Sequence, residues 1–205
     1  AQQLRALGLE VLAAHAALPL GAGQQSALEL AATFGCRRIV WHGWPRDARY
    51  GSLDGIRALA EEYNAAAKVA AANGLELGLH NHWWEMEPVE GRLPYQLLLE
   101  LLDPTIFFEL DVYWAKTAGR DPVALIAELG TRAPLLHIKD GPATPAAPMT
   151  AVGDGVLDMP AIIGATRASA EWLVVELDVC ATNMLHAVER SYGYLVGRGL
   201  ARGNK

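Results

Sequence analysis

Residues 107–141 read FFELDVYWAKTAGRDPVALIAELGTRAPLLHIKDG. Two short apolar runs, Phe107 to Leu110 and Leu135 to Ile138, each lead into residues able to hold a metal, and a helix-length segment joins them. The first run delivers Asp111; the second carries His137 and continues into Lys139 and Asp140. A strand–helix–strand unit with its polar residues gathered at the strand C-termini is how a parallel α/β fold builds an active site. Pro122, a favoured first-turn residue, marks where the connecting helix starts.

The same unit recurs on both sides of this stretch. Upstream, LEVLAAHAAL (9–18) is of strand length and carries His15, and a helix over 23–34 stops at Gly35. CRRIVWHG (36–43) is a second strand ending at His42. Ile56, Leu59, Ala60, Tyr63, Ala67, Val69 and Ala70 follow a 3.6-residue period and predict a helix over 53–73. LELGLHNH (75–82) ends in His80, Asn81 and His82, and Trp83, Trp84, Glu85 and Glu87 follow at once. A short helix at about 94–102 is stopped by Asp103-Pro104. Downstream, a Pro/Ala/Gly-rich loop leads to a helix at about 159–168, a strand EWLVVELDV (171–179) with Glu176 and Asp178, and a helix over roughly 183–197.

Strand and helix alternate without a composition break, which predicts a single all-parallel α/β domain over 1–205. Polar groups at the ends of nearly all the strands favour a (β/α)8 barrel, because a doubly wound sheet concentrates them at one switch point. The repeats fall short of eight, and the opening AQQLRALG reads as the second half of a helix. The expectation is a barrel lacking its first one or two βα units, roughly 50 residues, at the N-terminus.

Composition narrows the function. The chain has 205 residues, is 52% hydrophobic and carries a formal charge of −6, enough apolar material for one sizeable core and no basic face for nucleic acid. No apolar run reaches the ~18 residues of a membrane span. Cys36 and Cys180 have neither metal nor disulfide spacing and read as reduced core thiols, hence a cytoplasmic compartment.

Asp111, His137 and Glu176 lie at the ends of consecutive strands and form an O/N donor set suited to Mn²⁺, Mg²⁺, Co²⁺ or Zn²⁺. His80, at the same depth, is the natural fourth ligand, and Glu85 just beyond it is a second candidate or a proton carrier. Taken singly, Asp111 has an alternative as a helix cap, His137 as a core histidine and Glu176 as an arginine partner. His82 shares a face with His80 and is placed either on substrate or on a neighbouring ligand. Lys139 shares the face of His137, as an acid near the metal or as the partner of a strand-end carboxylate. Trp83, Trp84 and Trp114 suit an apolar wall against a sugar ring or a loop anchor, and His15 and His42 suit substrate hydroxyls. Asp140 and Asp178 are read as structural.

These motifs resemble a known family. LGLHNHWWEME is similar to the G-x-H-N-H-x-x-E-F stretch of the sugar phosphate isomerase/epimerases, the xylose isomerase-like TIM barrels, and 109–141 resembles the same family's stretch nearly end to end. VGDGVLD resembles its V-G-x-G-x-x-D loop and VVELD its last-strand glutamate; the likeness covers about residues 8–196. It implies a divalent metal held by position 80, Asp111, His137 and Glu176. It implies further that a strand, a helix and a strand precede Ala1. Many members have Glu where this chain has His80, which puts a two-glutamate acid/base scheme in question and makes Glu85 a replacement. The related AP endonucleases have a further His where Trp114 stands, which argues against DNA repair.

The expected activity is therefore isomerisation or epimerisation of a sugar or keto-polyol, by proton abstraction next to a carbonyl, with Glu176 or Glu85 as base and a second acid returning the proton; if a β-hydroxyl leaves instead, Lys139 serves as its acid. A dehydratase or lyase of a keto-sugar or keto-inositol on the same site is the alternative, and a non-catalytic sugar-binding paralogue is the alternative from another class. The expected partner is a small-molecule carbohydrate, with no nucleic acid and no membrane, and a homo-oligomer is left open.

Overall fold

The protein is described by a computed structural model that covers residues 1–166 and 169–203. Two compact units divide the chain, one through Phe107 and one from Phe108. The first holds α1 (Gln2–Ala6), β1 (Ala14–Ala16), α2 (Gln24–Phe34), β2 (Arg38–Trp41), α3 (Leu53–Ala72), β3 (Glu76–His80) and α4 (Pro94–Leu101). β4 (Phe107–Asp111) starts on the last residue of the first unit and leads into the second, followed by α5 (Val112–Thr117), α6 (Pro122–Leu129), β5 (Leu135–Ile138), α7 (Met159–Thr166), β6 (Trp172–Val175) and α8 (Met184–Gly197).

Within each unit strands pair in chain order and in parallel. In the first, Ala14–Ala16 of β1 aligns with Ile39–Trp41 of β2, and Arg38–Trp41 aligns with Glu76–Leu79 of β3. In the second, Asp111 of β4 stands opposite His137 of β5, and Ile138 stands opposite Val175 of β6. Parallel strands covered on both faces are apolar nearly throughout, and β4 and β5 are buried at every position.

Local sequence sets the ends of these elements. Ser52 Oγ accepts from the Gly55 amide and starts α3, whose buried stripe runs Ile56, Leu59, Ala60, Tyr63, Ala66, Ala67 and Ala70. Gly35 closes α2 in the left-handed region at φ 71°. In β3, Gly78 lets the Phe107 ring lie against the strand backbone, where any Cβ would intrude on the ring.

Several expectations shift. The segment between β4 and β5 holds two helices, because Gly119 at φ 76° breaks the chain direction and Asp121 caps a new helix through the Val123 amide. The first strand contracts to Ala14–Ala16. The helix expected at about 159–168 runs to Thr166, its last two positions lying outside the described residues. Both cysteines are free, but only Cys36 is buried; Cys180 lies in a half-exposed loop with its sulfur 3.6 Å from Thr182 Oγ1, so it is not a core thiol. Among the described residues no helix is long and apolar enough to cross a membrane.

Candidate metal centre

The second unit builds its site from β4 outward. Asp111 ends the strand and caps α5: its Oδ1 accepts from the amides of Tyr113 and Trp114, each at 2.9 Å. The cap fixes the carboxylate's orientation, so Oδ2 faces Lys139 Nζ at 3.0 Å and His137 Nδ1 at 3.8 Å. Helix cap and candidate ligand are thus two uses of one side chain. His137 Nδ1 also stands 2.7 Å from Glu176 Oε2, just past β6. Asp111, His137 and Glu176 offer ligand atoms that lie within 4.8 Å of one another.

Two residues beyond these complete the cluster. Glu109, 2% exposed, places Oε2 3.1 Å from His137 Nε2. Lys139, 1% exposed, reaches Asp111, Glu176 and Asp178 with Nζ–O separations of 3.0, 2.7 and 2.7 Å, and its ammonium lies 5.7 Å from the Trp114 ring centroid. Burial works against a charged Lys139, but the Asp111 and Glu176 carboxylates outweigh it and hold its pKa above the ordinary lysine range. Burial also disfavours a charged His137, yet the Glu109 and Glu176 carboxylates push it up to about 10. Glu176 is the converse: burial raises its pKa, and His137 and Lys139 bring it well below the usual carboxylate range.

This donor set fits a divalent cation. An imidazole nitrogen faces two carboxylate oxygens with a third carboxylate behind the ring; Lys139 supplies one positive charge to the two facing oxygens, and a proton on Nδ1, or a metal in its place, would supply another. Asp140 serves otherwise: its carboxylate accepts from the Gly141, Gly153 and Leu157 amides and pins the loop that follows β5.

The first unit gathers rings at its strand ends. His80 lies 4.9 Å from His82 and 5.6 Å from His15 between ring centroids. His82 stacks on the buried Trp84 at 4.1 Å and 10°, while Trp83, half-buried, meets Trp84 edge-on. Glu85 turns back on His82: its Oε2 accepts from the His82 amide at 2.8 Å, and Oε1 stands 3.8 Å from His82 Nδ1. His42 Nδ1 accepts from the Trp44 amide, and burial with the neighbouring His15 and His82 lowers its pKa. Trp114, in the second unit, is buried against Lys139 and Tyr113.

Sequence reasoning passed over Glu109 and Asp178. Glu109 was hidden inside an apolar run, although it stands two residues before Asp111 and so on the same strand face. Asp178, read as structural, follows Glu176 by two residues and reaches Lys139.

Residues 22–190 match the xylose isomerase-like TIM barrel family. No curated protein matches the sequence. Among solved structures, a sugar phosphate isomerase/epimerase from Parabacteroides distasonis is 25% identical, with a TM-score of 0.82 over 98% of this chain and 75% of its own. The probable 3-DHS dehydratase AsbF of Bacillus anthracis is 16% identical with a TM-score of 0.75, over 97% of this chain and 81% of its own. An L-ribulose 3-epimerase is 19% identical with a TM-score of 0.69, over 97% and 77%. The expected barrel type is met, with six parallel strands of that fold in this chain.

Proposed function

Because the chain belongs to the xylose isomerase-like TIM barrel family, we propose that it is a divalent-metal-dependent isomerase or epimerase of a sugar or keto-polyol. The observation that carries this reading is the convergence of Asp111 Oδ2, His137 Nδ1 and Glu176 Oε2 in the second unit. His80, at the end of β3, is the proposed fourth ligand, and Mn²⁺, Co²⁺, Mg²⁺ and Zn²⁺ all suit imidazole with carboxylates. Such an ion, when bound, polarises a carbonyl and its neighbouring hydroxyl.

The chain's own groups divide the remaining work. Glu176, held ionised by His137 and Lys139, is a weak base and serves as a ligand. Glu85 is the carboxylate proposed to remove the proton beside the carbonyl. Lys139, held protonated, is proposed to offset negative charge on the substrate oxygen, its raised pKa making it a reluctant proton donor. His15, His42 and His82 are proposed to hold substrate hydroxyls, with Trp83 and Trp114 as apolar walls. The proposed substrate is a small-molecule carbohydrate, in keeping with the isomerases and epimerases among the similar structures.

The test is solvent-deuterium exchange over a panel of ketoses and keto-polyols, with Mn²⁺ or Co²⁺ added and removed. Deuterium should enter the carbon next to the carbonyl only with metal present. No exchange with any ketone would end this reading. If a β-hydroxyl departs instead, product analysis in the same assay shows loss of water and makes the enzyme a lyase.

A further inference from the structure

We propose that Glu109 is a positioning residue that fixes the His137 ring with Nε2–H toward itself and Nδ1 toward Asp111 and Glu176, and so sets metal affinity. The inference rests on the metal reading above but concerns a residue outside the ligand set. A histidine ring has two ways to face a site, and either nitrogen can carry the proton. Here Glu109 Oε2 stands 3.1 Å from Nε2, on the side of the ring away from Glu176. A carboxylate cannot donate, so this contact requires a hydrogen on Nε2. With that hydrogen placed, Nδ1 is the nitrogen left to a cation.

Burial makes the arrangement consequential. Glu109 is 2% exposed and His137 3% exposed, so water competes poorly for either partner. Both side chains rise from adjacent paired strands, with Glu109 opposite Leu135 and Asp111 opposite His137, so the backbone register holds the contact. A carboxylate behind a ligating imidazole raises its basicity and locks its orientation. Asp111 and Glu176 cannot take over this task, because both face the other nitrogen.

Two variants and two readouts test the role. Glu109→Gln keeps the shape and one acceptor oxygen but removes the charge; Glu109→Leu removes the acceptor. Mn²⁺ affinity by calorimetry should fall roughly tenfold for Gln and toward a hundredfold for Leu. In ¹⁵N-edited spectra of the Zn²⁺-loaded protein, the His137 Nε2–H proton should be downfield in wild type, move upfield in Glu109→Gln, and exchange away in Glu109→Leu. A merely structural glutamate would lower the melting temperature of the metal-free variants and leave metal affinity unchanged. Affinities within about twofold of wild type for the folded Gln variant, with an unmoved Nε2–H signal, would overturn the proposal. If wild type binds neither Mn²⁺ nor Zn²⁺, the metal reading fails by itself. The Nε2–H signal of the metal-free protein then decides on Glu109, an unmoved signal in Glu109→Gln counting against it.

Discussion

The strand ends of the two units are furnished in opposite ways. Those of β1–β3 carry rings: His15, His42, His80 and His82, backed by Trp44, Trp83 and Trp84. Those of β4–β6 carry charge: Glu109, Asp111, Lys139, Glu176 and Asp178 around His137. Ring stacking and amide contacts tolerate small displacements, since each is worth about 1 kcal/mol. Buried ion pairs do not, because removing one partner strands the other in a low dielectric. The second unit should therefore fail abruptly where the first yields gradually.

The sharpest way to break this contrast is Lys139→Met. The substitution fills the space of a 1% exposed side chain but leaves Asp111, itself fully buried, with Glu176 and Asp178 as three carboxylates without their shared cation. A loss of ~3–5 kcal/mol in chemical denaturation is expected for the metal-free protein. Added Mn²⁺ should raise the melting temperature of the variant more than that of wild type, since a cation replaces a cation. A variant as stable as wild type would mean that the ionic cluster does not hold these strand ends.

In the first unit the largest effect should come from a neutral pair. Burial, with the Glu85 carboxylate adding to it, pushes the Tyr63 phenol up to about 12, and its oxygen lies 3.4 Å from the equally buried Tyr50 hydroxyl. The unfolded chain ionises Tyr63 near pH 10 while the folded chain keeps it protonated, so the unfolded state binds fewer protons between about pH 10 and 12. Stability is full below pH 10 and falls as pH rises through that window, by roughly 2–3 kcal/mol for this one group. Tyr63→Phe should make the fall shallower, leaving the share of Tyr50, whose phenol burial also raises; a variant that falls as steeply as wild type in urea titrations between pH 9 and 11.5 would reject the assignment.

How much of this was legible beforehand follows from the range of the forces involved. The runs 38–41, 76–80 and 135–138 and the α3 stripe were visible because burial writes a period into local sequence. Asp111, His137 and Glu176 stood out because each lies where an apolar run ends. Glu109 did not, because a lone carboxylate within a run looks like noise until the facing histidine is known. The three carboxylates around Lys139 come from 28 residues before it to 39 after it, a spread no local pattern records. The α5–α6 break was written locally in Gly119 and Asp121, but the apolar content on both sides obscured it.

Gly78→Ala probes the first unit's packing instead of its rings. The added methyl would enter the space of the Phe107 ring, which itself lies under the Arg38 guanidinium at 5.6 Å. Overpacking of this kind costs about 1–3 kcal/mol. The measurement is the urea midpoint, which should fall. Unchanged Mn²⁺ affinity would show that the strain stops short of His80, the proposed ligand two residues on in β3, and a coupled loss that it reaches that ligand.

The smallest expected effect is the most informative about chemistry. Glu85 is 4% exposed, and its Oε2 accepts from the His82 amide at 2.8 Å. Glu85→Gln keeps an acceptor for that amide and should cost under about 1 kcal/mol, whereas Glu85→Ala leaves the amide buried and unmet at about 1–3 kcal/mol. The Gln variant should therefore fold, bind metal like wild type and lose proton exchange at the substrate carbon. Since its scaffold is intact, that loss would belong to the missing carboxylate. Exchange at the wild-type rate would instead move the task to Glu176, the strand-end carboxylate whose pairing with His137 and Lys139 makes it the poorer base.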